Sequence, residues 1–271
     1  MLFRSLVSPR VPGVQWGHGA MGNAVWSGVR LRDVLREVGV RADAVEVVFG
    51  ATDAALLPST PAFVKSIPIE RALDEHTLIA FEMNSAPLPH WNGAPARLVV
   101  PGWTATYWIK HLSEIRVEPK AFDGFWMKSG YRLPKGLFPG APFPGQDNAE
   151  TQPITEILVN SLITSHRDGE RLNRNAPAHL SGWAWDNGQG IAAVEVSADQ
   201  GRSWRKASLG SDLGRFAWRG FQWRLDTSRP GPIRLWVRAR SRSGAIQPKD
   251  PIPNPSGYHH NAIQTVSLEI A

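Results

Sequence analysis

In the stretch "NGAPARLVVPGWTATYWIK", residues 92–110, two cations stand either side of a tight turn. Arg97 precedes a short apolar run, Pro101-Gly102-Trp103 forms the turn, and Lys110 follows an aromatic pair. Guanidinium and ammonium groups make strong, charge-assisted hydrogen bonds to phosphate and other oxyanions. A Pro-Gly turn lets backbone approach a ligand closely. The pattern suits an anion cradle. A plain surface strand–turn with solvated charges fits the same residues, and the segment alone leaves both readings open.

Other residues capable of chemistry are fewer. The chain contains no cysteine, which excludes disulfides, thiolate metal ligands and Cys nucleophiles within it. His259 and His260 are adjacent, and adjacent strand residues face opposite ways. With no carboxylate beside them in sequence, a loop pair with a hydrogen-bonding role is the better reading than a metal site. His18, in "WGHGAMGN", also reads as a loop residue. "SADQGRSW", residues 197–204, matches the Asp-box pattern of sialidase propeller blades. A propeller would repeat it, so the expectation is a β-hairpin turned by Asp199 and Gly201, with Trp204 on the core. The commonest hydrolase, zincin and nucleotide motifs are missing.

The elements that must position these groups follow from pattern and composition. A hydrophobic fraction of 42% over 271 residues supports a real core in one large domain or two ordinary ones. Thirty Lys and Arg against 24 Asp and Glu leave a net charge of +6, which suits an anionic ligand or an acidic partner. No basic run or nucleic-acid motif supports nucleic-acid binding. No apolar stretch approaches the roughly 20 residues needed to span a bilayer. "MLFRSLVSPR" lacks the apolar centre of an export signal, so the expectation is a cytoplasmic chain or one missing its natural beginning.

In "VRLRDVLREV", Leu31, Val34, Leu35 and Val38 mark one face of a helix that Gly39 stops. "AVEVVFG" reads as a strand with Val45, Val47 and Phe49 inward. "SIPIERALD" reads as a short helix with Pro68 near its start. "TLIAFEMN" and "ARLVVPG" read as further strands. The Pro- and Gly-rich stretch 132–153 reads as a linker or irregular wrap. Beyond it, "HLSGWAWD", "IAAVEVSA", "SWRKASL", "FQWRLD", "IRLWVRARS" and "AIQTVSLEI" have the spacing of an all-β sandwich. The predicted organisation is α+β, with a mixed α/β domain over 1–152 and a β domain over 153–271.

Taken together, "WGHGAMGNAVWSGVRLRDVL", "SIPIERALDEHTLIAFEMNSAPLP", "GAPARLVVPGWTATYWIKHLSEIRV" and "FWMKSGYR" resemble the sulfite oxidase family of molybdenum enzymes, the bacterial sulfite dehydrogenases above all. "GWAWDNGQGIAAVEVSADQGRSW" and "AWRGFQWRLD" resemble that family's immunoglobulin-like dimerisation domain. The resemblance implies a molybdenum–molybdopterin cofactor. Arg97 and Lys110 fall where the family binds the cofactor's phosphate and pterin. Trp108 falls where a backbone or side chain also touches it, and Asn92 where animal and plant members carry a His. Asp53, in "GATDAALLP", is a looser match to a cofactor-binding Asp. Tyr131 matches the active-site Tyr beside the metal's oxo group and the substrate.

The resemblance further implies oxidation of sulfite to sulfate, with electrons leaving for a cytochrome c-type haem protein. It implies a periplasmic location and a homodimer through the C-terminal domain. A sulfoxide reductase of the same family and a non-catalytic interaction protein are the alternatives. Two departures matter. The family's thiolate Cys lies upstream of the region matching Arg4 to Arg10, so the chain is expected to be N-terminally truncated, to supply no metal ligand and not to sustain normal turnover alone. The family's late substrate-pocket Arg has no clear match, with Ser256 and His260 at the candidate positions.

Overall fold

The computed structural model describes residues 3–8, 10–55, 57–135, 150–251, 254 and 256–271. Their contacts divide them into two compact units, one made of 22–135 with 150–156, the other of 3–21 with 157–271.

The first unit holds strands β1 (Trp26–Arg30), β2 (Glu46–Ala51), β3 (Lys65–Pro68), β4 (Leu78–Met83), β5 (Ala86–Pro87), β6 (Arg97–Val99), β7 (Leu112–Glu118), β8 (Arg132–Pro134) and β9 (Thr151–Pro153). Its helices are α1 (Leu31–Val38), α2 (Ile69–Ala72) and α3 (Phe125–Lys128). β4 pairs with β1, β5 and β6, while β2 lies between β3 and β7. Leu31 and Leu35 of α1 are buried as their spacing predicts, and Gly39 closes the helix at φ 76°. Val38, at 72% exposure, drops off the apolar face.

The unit is more strand-rich than its sequence suggested, because "SIPIERALD" starts as strand β3 and turns helical only after Pro68. In β2 the expected alternation fails. Val47, Val48 and Phe49 are all fully buried, whereas Val45 precedes the strand and is exposed. A central strand covered on both faces has no solvent side to alternate with. The two ends of the expected linker pair as β8 and β9, Arg132 opposite Pro153; residues 136–149 lie outside those described. The core joins Leu31, Leu35, Val47, Phe49, Ile67, Leu98, Val100, Tyr107 and Ile109, each such large apolar side chain contributing about 1.5–3 kcal/mol by its burial.

The second unit holds β10 (Asn160–Ile163), β11 (Glu170–Leu172), β12 (Ala178–Trp185), β13 (Ile191–Ser197), β14 (Arg205–Lys206), β15 (Ser208–Leu209), β16 (Arg219–Leu225), β17 (Gly231–Ser241) and β18 (Gln264–Ile270). They form two sheets, ordered β10-β12-β16-β15 and β11-β18-β17-β13-β14. Leu180, Phe221 and Leu225 from the first meet Val194, Val196, Leu235, Val237 and Leu268 from the second in one core. β13 and β14 are an antiparallel hairpin. In its turn Asp199 accepts from Ser197 Oγ and Ser203 N–H, and Gly201 adopts φ 84°.

Candidate functional site

The run from His90 to His111 folds back on itself beside β6. Leu98 N–H donates to Ile109 O, His111 N–H to Gly93 O and Leu112 N–H to Ala96 O. This antiparallel return places Asn92, Arg97, Trp108 and Lys110 together. Arg97 Nη1 donates to Asn92 O at 2.9 Å and Nη2 to Trp108 O at 3.2 Å. Lys110 Nζ donates to Trp91 O at 2.6 Å. Two cations thus grip successive carbonyls of the turn His90–Asn92. Gly93, at φ 107°, makes the approach possible: a Cβ there would lie 2.8 Å from Lys110 Cβ.

Arg97 is 6% exposed and its guanidinium sits over Trp26 at 4.9 Å and Trp108 at 5.7 Å, which meet edge to face. Its Nε is buried with no hydrogen-bond partner among the described residues. No carboxylate among them lies within ion-pair distance, and burial pushes its pKa down to about 10. A buried cation satisfied by carbonyls and rings alone keeps its net charge uncompensated. Neighbouring Lys110 is exposed.

Asp53 lies exposed in the loop after β2. Thr52 N–H bonds His111 O, bringing that loop's start to the residue after Lys110; no contact joins the Asp53 carboxylate to either cation. Tyr131 belongs to a second cluster. Its backbone is left-handed at φ 55°, and its ring meets Phe63 edge to face at 5.9 Å and Trp126 at 6.1 Å. Beneath it, Lys65 of β3 is fully buried, with Nζ donating to Trp126 O at 2.9 Å. The turn Ala105–Tyr107 separates the clusters: the Tyr107 ring faces Lys65, and Trp108 faces Arg97.

His259 and His260 lie in the loop between β17 and β18. The Nε2 atom of His259 is buried, and desolvation lowers its pKa to about 4. Among the described residues no group of three or more His, Asp or Glu could hold a metal ion. Arg4 Nε donates to Ser256 O at 2.9 Å. No described helix is long and apolar enough to cross a membrane.

The oxidoreductase molybdopterin binding domain model matches residues 3–126, and the Mo-co oxidoreductase dimerisation domain model matches residues 151–270. The chain belongs to the sulfite oxidase family. It is 34% identical over 277 residues to mitochondrial sulfite oxidase of Drosophila melanogaster, covering 96% of this chain and 48% of that one. It is 33% identical over 273 residues to the mitochondrial sulfite oxidase of Homo sapiens, covering 96% and 49%. The chain spans about half the length of these curated relatives. The crystal structure of the sulfane dehydrogenase SoxCD from Paracoccus pantotrophus superposes with a TM-score of 0.75 at 26% identity, over 92% of this chain and 62% of that one.

Molybdenum–molybdopterin is the cofactor this family membership implies. The donor set fits the anionic end of such a group: an orphaned buried guanidinium nitrogen beside an exposed ammonium, held close to the turn because Gly93 lets the chain pack against Lys110. With no cysteine, these 271 residues offer no thiolate to its metal. Pattern reading missed Lys65, Tyr107 and Trp26. A signal for Lys65 was present, since "FVKSI" puts it in step with Phe63 and Ile67 on the inward parity of a strand.

Proposed function

We propose that the chain is the cofactor-binding and dimerising part of an enzyme that oxidises sulfite to sulfate and passes the electrons to a cytochrome c-type haem protein. The observation that carries this reading is Arg97, a buried cation with an unpartnered Nε and no carboxylate beside it. Arg97 and Lys110 hold the cofactor's phosphate end, while the backbone at Asn92 and Trp108 fixes the guanidinium that meets it. When bound, the cofactor supplies the two-electron redox couple and the oxygen transfer. Asp53 contributes a further polar contact from its loop.

Tyr131 donates a hydrogen bond to the oxyanion as charge develops on it, the kind of contact that lowers a barrier when aimed in advance. Its left-handed backbone conformation is rare for a bulky residue and persists only where surroundings enforce it. The site's excess positive charge draws a dianionic substrate in. The proposal includes an immunoglobulin-like topology for the second unit, a homodimer formed through it and a periplasmic location. These rest on the resemblance to bacterial sulfite dehydrogenases and, for the dimer, on the matching dimerisation domain.

The test is sulfite-dependent reduction of cytochrome c by the whole enzyme of which this chain is part, purified from a molybdopterin-producing host, with molybdenum measured in the same sample. Sulfite-dependent reduction that Tyr131→Phe lowers by about tenfold or more, at unchanged molybdenum content, is expected. Reduction of methionine sulfoxide without sulfite oxidation would replace this reading with the reverse reaction.

A further inference from the structure

Lys65 has no exposed surface, and no carboxylate among the described residues pairs with it. A buried ammonium in that state costs stability that a methionine of similar length would not. Its Nζ bonds the carbonyl of Trp126 and lies 4.5 Å from the ring centre of Tyr107 and 5.7 Å from that of Tyr131. Trp126 is itself anchored, its Nε1 donating to Pro61 O and Ala62 O. Ile154 N–H donates to Tyr131 O at 2.9 Å. Lys65 therefore bonds the very element whose indole flanks Tyr131, and its charge lies against the same phenol.

We propose that Lys65 is the positioning residue of Tyr131. Its ammonium, fixed on the Trp126 carbonyl, holds the Tyr131 ring and sets a buried positive charge against its face. An ammonium over an aromatic face is attracted to the ring's electrons. It withdraws density from the phenol, which makes the hydroxyl a stronger donor toward an oxyanion. The other charged or titratable groups facing this pocket are Arg132 from β8, Tyr107 from the turn before Trp108 and Glu46 from β2, which acts on Tyr107. Burial, with Arg132 adding to it, brings the Lys65 pKa down to about 8. The ammonium's charge therefore changes within an accessible pH range.

The consequence for turnover rests on the reading of Tyr131 as the substrate's hydrogen-bond donor, whereas the contact does not. The chain has three tyrosines, so tyrosine isotopically labelled at Cζ gives a spectrum assignable with Tyr107→Phe, Tyr131→Phe and Tyr258→Phe. In the full chain, the Tyr107 and Tyr131 resonances should shift together through a step centred near pH 8, with Tyr258 unmoved. Lys65→Met should remove the step and displace Tyr131, while Lys65→Arg should restore the displacement without the step.

In sulfite-dependent dye reduction by the whole enzyme of which this chain is part, Lys65→Met should lower kcat about tenfold with KM little changed, and Lys65→Arg should recover most of it. A Tyr131 resonance indifferent both to pH across this step and to Lys65→Met overturns the proposal. Should Lys65→Met fail to fold, Lys65→Gln, which keeps a donor for the Trp126 carbonyl without the charge, takes its place in the same comparison. Absence of sulfite oxidation in the wild-type whole enzyme would sink the functional reading and leave the resonance test standing.

Discussion

Arg238 and Arg240 in β17 both donate to Glu195 in β13, at 2.7 and 3.0 Å. Arg219 and Arg242 converge likewise on Asp212. In the other unit, Arg97 and Lys65 are more deeply buried than any of these, yet bond only backbone carbonyls and lie against aromatic rings. In the Glu195 and Asp212 clusters an acid neutralises the cations. Where they are left without one at greater burial, the fold bears a cost that an anionic ligand would offset. This difference in pairing, rather than the number of cations, sets Arg97 and Lys65 apart from those clusters.

The sharpest way to break the comparison is to make a structural pair resemble the site. Glu195 is 13% exposed, and burial raises its pKa, but hydrogen bonds from Arg238 and Arg240 outweigh that and hold it below the ordinary value. Glu195→Gln keeps the shape and removes the charge that balances two guanidiniums. Urea unfolding should show a loss of about 1–2 kcal/mol, less than for a fully buried pair because Arg240 is partly solvated.

The reverse change should have the opposite sign. Lys65→Met should raise stability at pH 7 by about 1 kcal/mol, since it removes a buried charge and only one hydrogen bond. The pH dependence separates charge from packing. The folded-state pKa of about 8 lies below the ordinary 10.5, so between these values the unfolded chain binds more protons. The burden is therefore complete below pH 8 and relieved by pH 10.5. The variant's advantage should shrink across that window; an advantage that persists at high pH would assign it to packing. A more stable but slower variant would be the usual exchange between site chemistry and fold stability.

Much of this organisation was legible in the residues. Leu31, Leu35 and Gly39 announced α1, and the alternating segments after residue 176 announced the long strands of the second unit. The link between Arg97 and Lys110 was only half legible: the segment suited an anion cradle or a plain surface strand–turn, and the return through Ala105–Tyr107 that brings the two together has no period of its own. The pairing of β8 with β9 was not: neither short strand has a period to detect, and their partnership spans a long intervening stretch. Lys65 was passed over because a lysine is ordinarily read as solvated, and its burial depends on Trp126 and Tyr107, distant in sequence. Nor could spacing show that Tyr131 adopts φ 55°. Local pattern reports which face a residue takes, while long-range packing decides what waits on that face.

Lys110 offers the mildest test. It belongs to the site by charge and position but is exposed, with its ammonium on the Trp91 carbonyl. Lys110→Ala should therefore change stability by no more than about 0.5 kcal/mol, as expected of a surface substitution. Losing one charge-assisted contact to a phosphate should still reduce the pterin retained through purification by about tenfold. Pterin fluorescence per mole of protein, set beside the unfolding midpoint, measures both. A fall in midpoint as large as that of Glu195→Gln, with pterin retention unchanged, would move Lys110 to the structural side of the comparison and leave Arg97 to hold the anion.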